Sequence, residues 1–339
     1  MTVAVSRTQA FPPYELLDVE DPLAASTSFD ATVARAQAKT RKLERLYHQT
    51  QAHAWNPTQV LDELEAKHGG IHLAEEKREA VGELFSVILW GELAAWNIAA
   101  DLARELPDLE AKMAATGQVF DEARHFTVLR DYMKRAGVRV PPLNPYGRKV
   151  LLRIIETDSL MEKLYGMQLL VENMALSIFK RVAASGVEPV LSELLVYIER
   201  DESRHVALGV LHLPAMVSKA TALERARNLK FNLELFALTV LGGQYLDPYL
   251  RTLGVDHREL GHTSLRLHQQ VLKEMSSEMG LAPGEHVRGI YSLAKWQQRL
   301  LLDWLHPEKP IEQLAPVHQA TLRWFDRGVR RAAKWMATS

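Results

Sequence analysis

LWGELAAWNI (Leu89 to Ile98) returns eighty residues later as LLVENMALSI (Leu169 to Ile178), and DEARH (Asp121 to His125) returns at the same offset as DESRH (Asp201 to His205). Each half reads one glutamate and then, thirty residues on, Glu-x-x-His: Glu92 with Glu122 and His125, Glu172 with Glu202 and His205. Glu and His three apart lie one turn apart on one helix face, so both can address one ion. Glu92 stands 14 residues before Leu106, and Glu122 stands 15 after Pro107. At ~1.5 Å per residue these arms are about 21 and 22 Å long, so an antiparallel hairpin brings the glutamates level. The second hairpin has matching arms, 13 residues from Glu172 to Ser185 and 14 from Glu188 to Glu202. Two such hairpins packed about a pseudo-twofold put four carboxylates and two imidazoles into one bundle core. That donor set suits iron or manganese better than zinc.

The tetrapeptide alone carries little weight, since Glu65-x-x-His68 and Glu259-x-x-His262 also match it. Thirty residues before those glutamates stand Arg35 and Leu229, and neither match has the Asp-Glu-x-Arg-His context. In the duplicated set, unpartnered glutamates within helices as apolar as LWGELAAW and LLVENMAL would be costly to bury. The adjoining Asp121 and Asp201 have a role by the same logic, because a ligating imidazole usually gives its other N–H to a carboxylate. In the twofold arrangement Asp201 is expected to support His125 and Asp121 to support His205, with Arg124 and Arg204 balancing charge.

The rest of the chain is consistent with an all-α protein. Apolar residues recur three and four apart, among strong helix formers, from about Phe29 to Trp55, Leu73 to Leu106, Pro107 to Ala136, Asn144 to Ser185 and Glu188 to Val217. Further helical stretches fall at roughly 220–247, 256–280, 285–305 and 310–336. Breaks are expected at Gly69-Gly70, Leu106-Pro107, Pro141-Pro142, Gly186 with Pro189, Asp247-Pro248 and Pro310. Residues 1–28, with Pro12, Pro13 and Pro22, read as a surface arm, and 29–339 as a single large helical domain. Its metal-binding bundle would span about 73–217, with extra C-terminal helices over 220–339.

Composition narrows the function classes. With 47% apolar and 24% charged residues the chain is globular, and a net charge of −1 leaves no global field for nucleic acid. The absence of cysteine excludes disulfides, iron–sulfur clusters, zinc–thiolate sites and thiol nucleophiles. No apolar signal segment or uncharged membrane-length run is present, so a cytoplasmic protein without a membrane span is expected.

With its doubled motif the chain resembles the ferritin-like di-iron carboxylate superfamily, in particular the large oxygen-activating branch that includes R2-like ligand-binding oxidases and bacterial multicomponent monooxygenase hydroxylases. The motif region that carries the resemblance covers about 85–210. It implies a ferritin-like four-helix bundle with flanking helices. It assigns Glu92, Glu122 and His125 to one metal and Glu172, Glu202 and His205 to the other, with bridging carboxylates. The chain also departs from family patterns. Leu129 stands where ribonucleotide reductase small subunits have a radical tyrosine, and Ala95 and Met167 stand where R2-like oxidases form a Val–Tyr cross-link. Ile198 occupies the position of an extra histidine in arylamine N-oxygenases.

The resemblance implies an oxidoreductase holding two Fe ions, or Mn and Fe, that takes O2 as co-substrate and hydroxylates, desaturates or N-oxidises a small organic substrate. The alternative is an iron-handling or peroxide-scavenging protein on the same bundle. Helical spacing nominates residues near the ligands as a substrate pocket: Ile88, Ala95 and Trp96 from the first helix and Gln118 and Leu129 from the second. Tyr165, Gln168, Ala175 and Leu176 come from the third, and Leu195 and Ile198 from the fourth. This mainly apolar set points to an apolar or amphipathic substrate. With neither cysteine nor a nucleotide-binding signature, electrons are expected from a separate ferredoxin or flavin reductase, and a homodimer is the commonest assembly to anticipate.

Overall fold

The protein, as a computed structural model, is described over residues 31–278, 300, 303–304 and 310–337. It forms two compact units, one through Lys42, whose described residues 31–42 are helical, and one from Leu43 onward that contains the bundle. The expected arm at 1–28 and most of the expected helix at 285–305 lie outside the described residues.

In chain order the helices are α1 (Ala31–Ala52), α2 (Pro57–His68), α3 (Glu75–Glu105), α4 (Leu109–Arg135), α5 (Pro145–Ile155) and α6 (Leu160–Lys163). A π-helical stretch, Leu164–Val171, runs into α7 (Glu172–Ser185), followed by α8 (Pro189–Lys219), α9 (Ala222–Thr252) and α10 (His257–Glu278). After a 3-10 turn at Ile311–Gln313 comes α11 (Pro316–Ala337). No strand occurs among the described residues.

Local chemistry explains the ends that position the bundle. Gly186 (φ 63°) stops α7 in the left-handed region, where a Cβ would be strained. Three residues later Pro189 opens α8, and the Glu188 side chain accepts the Leu191 N–H. The same carboxylate accepts the buried Tyr132 hydroxyl and the His72 N–H, tying α4 and the segment before α3 to the head of α8. The other hairpin turns at residues 106–108, with Pro107 in the turn just before the N-cap Asp108.

α3 packs along α4, α7 along α8, and α4 meets α8 across the bundle. α9 covers α3, α5 lies on α9, and α10 rests on α7 and α8. Two apolar clusters fill the interior. One gathers Leu84, Phe85, Leu129, Phe179 and Leu191, and the other Ile98, Leu102, Ala111, Leu164 and Phe231. On α3, α4 and α8 the segments bearing the duplicated motif lie between the parts that feed these two clusters.

Three expectations need correction. The span Asn144 to Ser185 is not one helix. It breaks after Ile155, and Thr157 then donates to Glu162 while the Ser159 side chain caps the Glu162 N–H. A π-helical stretch follows, which a 3.6-residue period cannot anticipate. α9 passes through Pro248, where a break was expected, and ends at Thr252. Burial of Leu246, Leu250 and Leu253 there outweighs the ~3 kcal/mol cost of an interior proline. α2 lies in a gap between the expected segments, although Asn56, Pro57 and Gly69 supply its cap, first turn and stop.

The α3 backbone comes close to the segment after α4 at Gly82, where a Cβ would sit 2.5 Å from the Arg139 carbonyl oxygen. Gly82→Ala is therefore expected to destabilise the fold by about 1–3 kcal/mol, read from the denaturant midpoint. An unchanged midpoint would remove this contact from the account.

Candidate metal centre

Each of the four central helices brings part of the duplicated motif to the same level. α3 carries Glu92, α4 carries Glu122 and His125, α7 opens with Glu172, and α8 carries Glu202 and His205. None of the six is more than 5% exposed. Donor atoms of Glu92, Glu122, His125 and Glu202 all lie within 4.8 Å of one another, as do those of Glu122, Glu172, Glu202 and His205. Either set could hold an ion. Glu122 and Glu202 belong to both, while Glu92 with His125 and Glu172 with His205 form the two ends.

The imidazoles are oriented. His125 turns Nδ1 inward, 3.1 Å from Glu202 and 3.4 Å from Glu92, and Nε2 outward, 3.3 Å from Asp201. His205 repeats this with Nδ1 2.8 Å from Glu202 and 3.1 Å from Glu122, and Nε2 3.3 Å from Asp121. Each histidine thus meets the aspartate of the opposite half. Arg124 bonds both Asp121 and Asp201 (2.7 Å to Asp201), and Arg204 bonds the same two at 2.9 and 2.8 Å. The result is a buried ring of two guanidinium and two carboxylate groups joining α4 to α8.

Two buried inward atoms, His125 Nδ1 and Glu122 Oε2, make no hydrogen bond. Orphaned donors and acceptors at the centre of a carboxylate–imidazole cage fit a pair of first-row divalent ions, whose bonds would use them. Sulfur ligands are absent from the set, and oxygen outnumbers nitrogen, which suits iron and manganese.

Burial, reinforced by neighbouring carboxylates, holds Glu92 and Glu172 well above the usual carboxyl range. Burial also opposes ionisation of Glu122 and Glu202, but the facing imidazoles outweigh it and both stay low. For His125 and His205, burial would lower basicity, yet the surrounding carboxylates raise it well above the ordinary value. Asp201 is held low against its burial by His125, Arg204 and Trp55.

Several residues of the site escaped sequence reasoning. Trp55, between α1 and α2, donates its indole N–H to Asp201 at 2.8 Å and stacks on His125 with centroids 6.3 Å apart. Arg124 lies over the same indole, 4.7 Å from its centroid. Thr50 accepts from Arg204, and Gly117 admits that threonine, since a Cβ there would stand 3.0 Å from Thr50 Oγ1. Neither residue repeats at the eighty-residue offset, so the duplication gave no signal for them.

Of the nominated pocket residues, Ile88, Leu129, Leu195 and Ile198 pack in one apolar cluster, with Ala175 partly buried against it. Ala95 and Leu176 belong to the other, with Tyr165 beside it, and burial pushes the Tyr165 phenol up to about 12. Trp96 is a correction: it is 37% exposed, because the inward face of α3 follows Ile88, Glu92, Ala95 and Ala99. Gln118 and Gln168 are buried beside the cage, Gln118 bonded to Glu122 and Glu172 and Gln168 to Gln118. The two control matches stay outside the cluster: Glu65 pairs with Arg135, His68 with Glu193, and Glu259 with Arg181.

A divalent ion entering either set competes with protons on Glu92, Glu172, His125 and His205. Loading both sets should release protons, and affinity should fall as pH falls. Titration with a divalent ion in weakly buffered solution measures this, and uptake without acidification would contradict it. Asp201→Asn should weaken ion binding about 10–100-fold by freeing the His125 ring, measured as a dissociation constant. Affinity equal to that of the unaltered chain would deny Asp201 this role.

No family model and no curated protein matches the sequence. In structure the chain is similar to a protein from Synechococcus with aldehyde deformylating oxidase activity, at 20% identity over 61% of this chain and 94% of that one, TM-score 0.51. It is also similar to an R2-like ligand-binding oxidase with an aerobically reconstituted metal cofactor after photoconversion, at 20% identity over 68% of this chain and 92% of that one, TM-score 0.53. A variant of such an oxidase with an aerobically reconstituted Fe/Fe cofactor aligns at 19% identity over the same shares, TM-score 0.53. Likeness at these identities speaks to architecture, and the chain has the all-α, ferritin-like bundle fold of these oxidases.

Proposed function

We propose that the chain is a non-haem dinuclear iron, or manganese/iron, oxidase or oxygenase that uses O2 to oxidise an apolar or amphipathic small organic substrate. The observation that carries this reading is the buried cage of four glutamates and two histidines, whose donor atoms lie in two overlapping sets within 4.8 Å. The fold shared with oxidases carrying Mn/Fe or Fe/Fe cofactors supports it.

Glu92 and His125 would hold one ion, Glu172 and His205 the other, and Glu122 and Glu202 would be shared. When bound, the metal pair supplies O2 reduction and the oxidising power for hydroxylation, desaturation or N-oxidation. The protein's own groups do the rest. Asp121 and Asp201 keep a proton on each Nε2, so that each Nδ1 lone pair faces the centre. The Arg124–Arg204 ring neutralises those aspartates out of contact with water. Ile88, Leu129, Leu195 and Ile198 exclude water from the flank where an apolar molecule would lie. Electrons come from a separate ferredoxin or flavin reductase, since the chain has no cysteine for a redox cluster of its own. A homodimer is the proposed assembly.

Metal analysis of the full chain prepared with iron and manganese should give about two ions per chain. Glu122→Ala and Glu202→Ala should lose most of that metal and the O2 uptake stimulated by organic substrate, whereas Glu65→Ala should keep both. Equal loss in all three variants would refute the assignment. Iron loading far beyond two per chain, with no organic compound altering O2 uptake, would replace this reading with iron storage.

A further inference from the structure

The two halves share their ligand residues at the eighty-residue offset, but their surroundings differ. Gln118 corresponds to Ile198, Gln168 to Ile88, and Gly209 to Leu129, all six buried. The π-helical stretch Leu164–Val171 corresponds to residues 84–91, which are ordinary α-helix within α3.

These departures act together. Gln118 donates its amide N–H groups to Glu122 Oε1 at 2.8 Å and Glu172 Oε1 at 2.9 Å, and its own oxygen accepts Gln168 Nε2 at 2.8 Å. Gln168 fits because Gly209 lacks a side chain: a Cβ there would stand 2.6 Å from Gln168 Cβ. The other half has no counterpart. Ile198, Ile88 and Leu129 offer no polar atom, and among the described residues no side-chain amide donates to Glu92, whose inward contact is His125 at 3.4 Å.

We propose that this asymmetry makes the two ion positions unequal. The position of Glu122, Glu172, Glu202 and His205 takes a divalent first-row cation first and more tightly, because Gln118 fixes two of its carboxylates before the ion arrives. The position of Glu92, Glu122, His125 and Glu202 fills second and exchanges its ion more readily, because Glu92 must be ordered on binding. Carboxylates already oriented by hydrogen bonds lose less freedom on coordination, and the loss of such outer partners commonly costs 10–100-fold in affinity. The proposal rests on the dinuclear reading above.

The test is an anaerobic titration of the metal-free full chain with Co(II), followed by absorbance and calorimetry. Two steps are expected, the first at least about tenfold tighter. Glu172→Ala should abolish the tight step and leave the weak one, and Glu92→Ala should do the reverse. Gln118→Met keeps length and volume but removes both donors, and should weaken the tight step about 10–100-fold until the steps merge. The two glutamate variants assign the steps whether or not the Gln118 variant folds. Two equal steps in the unaltered chain, or a tight step that survives Glu172→Ala, would overturn the proposal while leaving the dinuclear reading intact. Failure to bind any divalent ion would remove that reading and this one with it.

Discussion

Six ionisable side chains at the centre of a helical bundle set the terms for everything around them. An isolated buried carboxylate costs several kcal/mol, and four within a few ångströms repel one another as well. The chain meets this in two ways. Glu92, Glu172 and both imidazoles hold protons more strongly than they would in water, and the Arg124–Asp121–Arg204–Asp201 ring balances charge just outside the cage. An ion pair buried this deeply adds little net stability. Its consequence here is directional, since each aspartate held by two arginines presents an oxygen to the histidine of the other half.

The helices around the cage are arranged to keep this layer dry and level. Connections of three residues, 106–108 and 186–188, close both hairpins, so Glu92 and Glu122 face each other as Glu172 and Glu202 do. The apolar clusters built around Phe85 and Phe179 and around Leu102 and Phe231 fill the interior with close-packed side chains. Trp55 adds a lid over Asp201 and His125 from outside the four central helices. A rigid, water-poor surround is what a strongly oxidising centre needs if its reactivity is to reach only a chosen substrate.

Repetition and departure from repetition carry different information in this chain. Where the halves agree, as at Glu92 and Glu172 or Asp121 and Asp201, the duplicated residues share one geometric task. Where they differ, as at Gln118 against Ile198, the fold has made one side of the cage polar and the other apolar. Helical spacing marked both glutamines as near the centre, but spacing does not tell whether a nearby amide faces a cavity or a carboxylate.

The sequence by itself determined the helical class, the two hairpins and the six side chains that meet. A duplicated Glu and Glu-x-x-His at fixed spacing has few ways to bury its carboxylates, and the equal arm lengths follow from helical rise alone. Tertiary structure decided what surrounds them. Trp55 reaches Asp201 across 146 positions of sequence, and Gln168 reaches Gln118 across 50, its direction set by a π-helical stretch and its room by Gly209. Such contacts leave no period in the sequence, because they depend on where separate helices cross and on single side chains small enough to let others through.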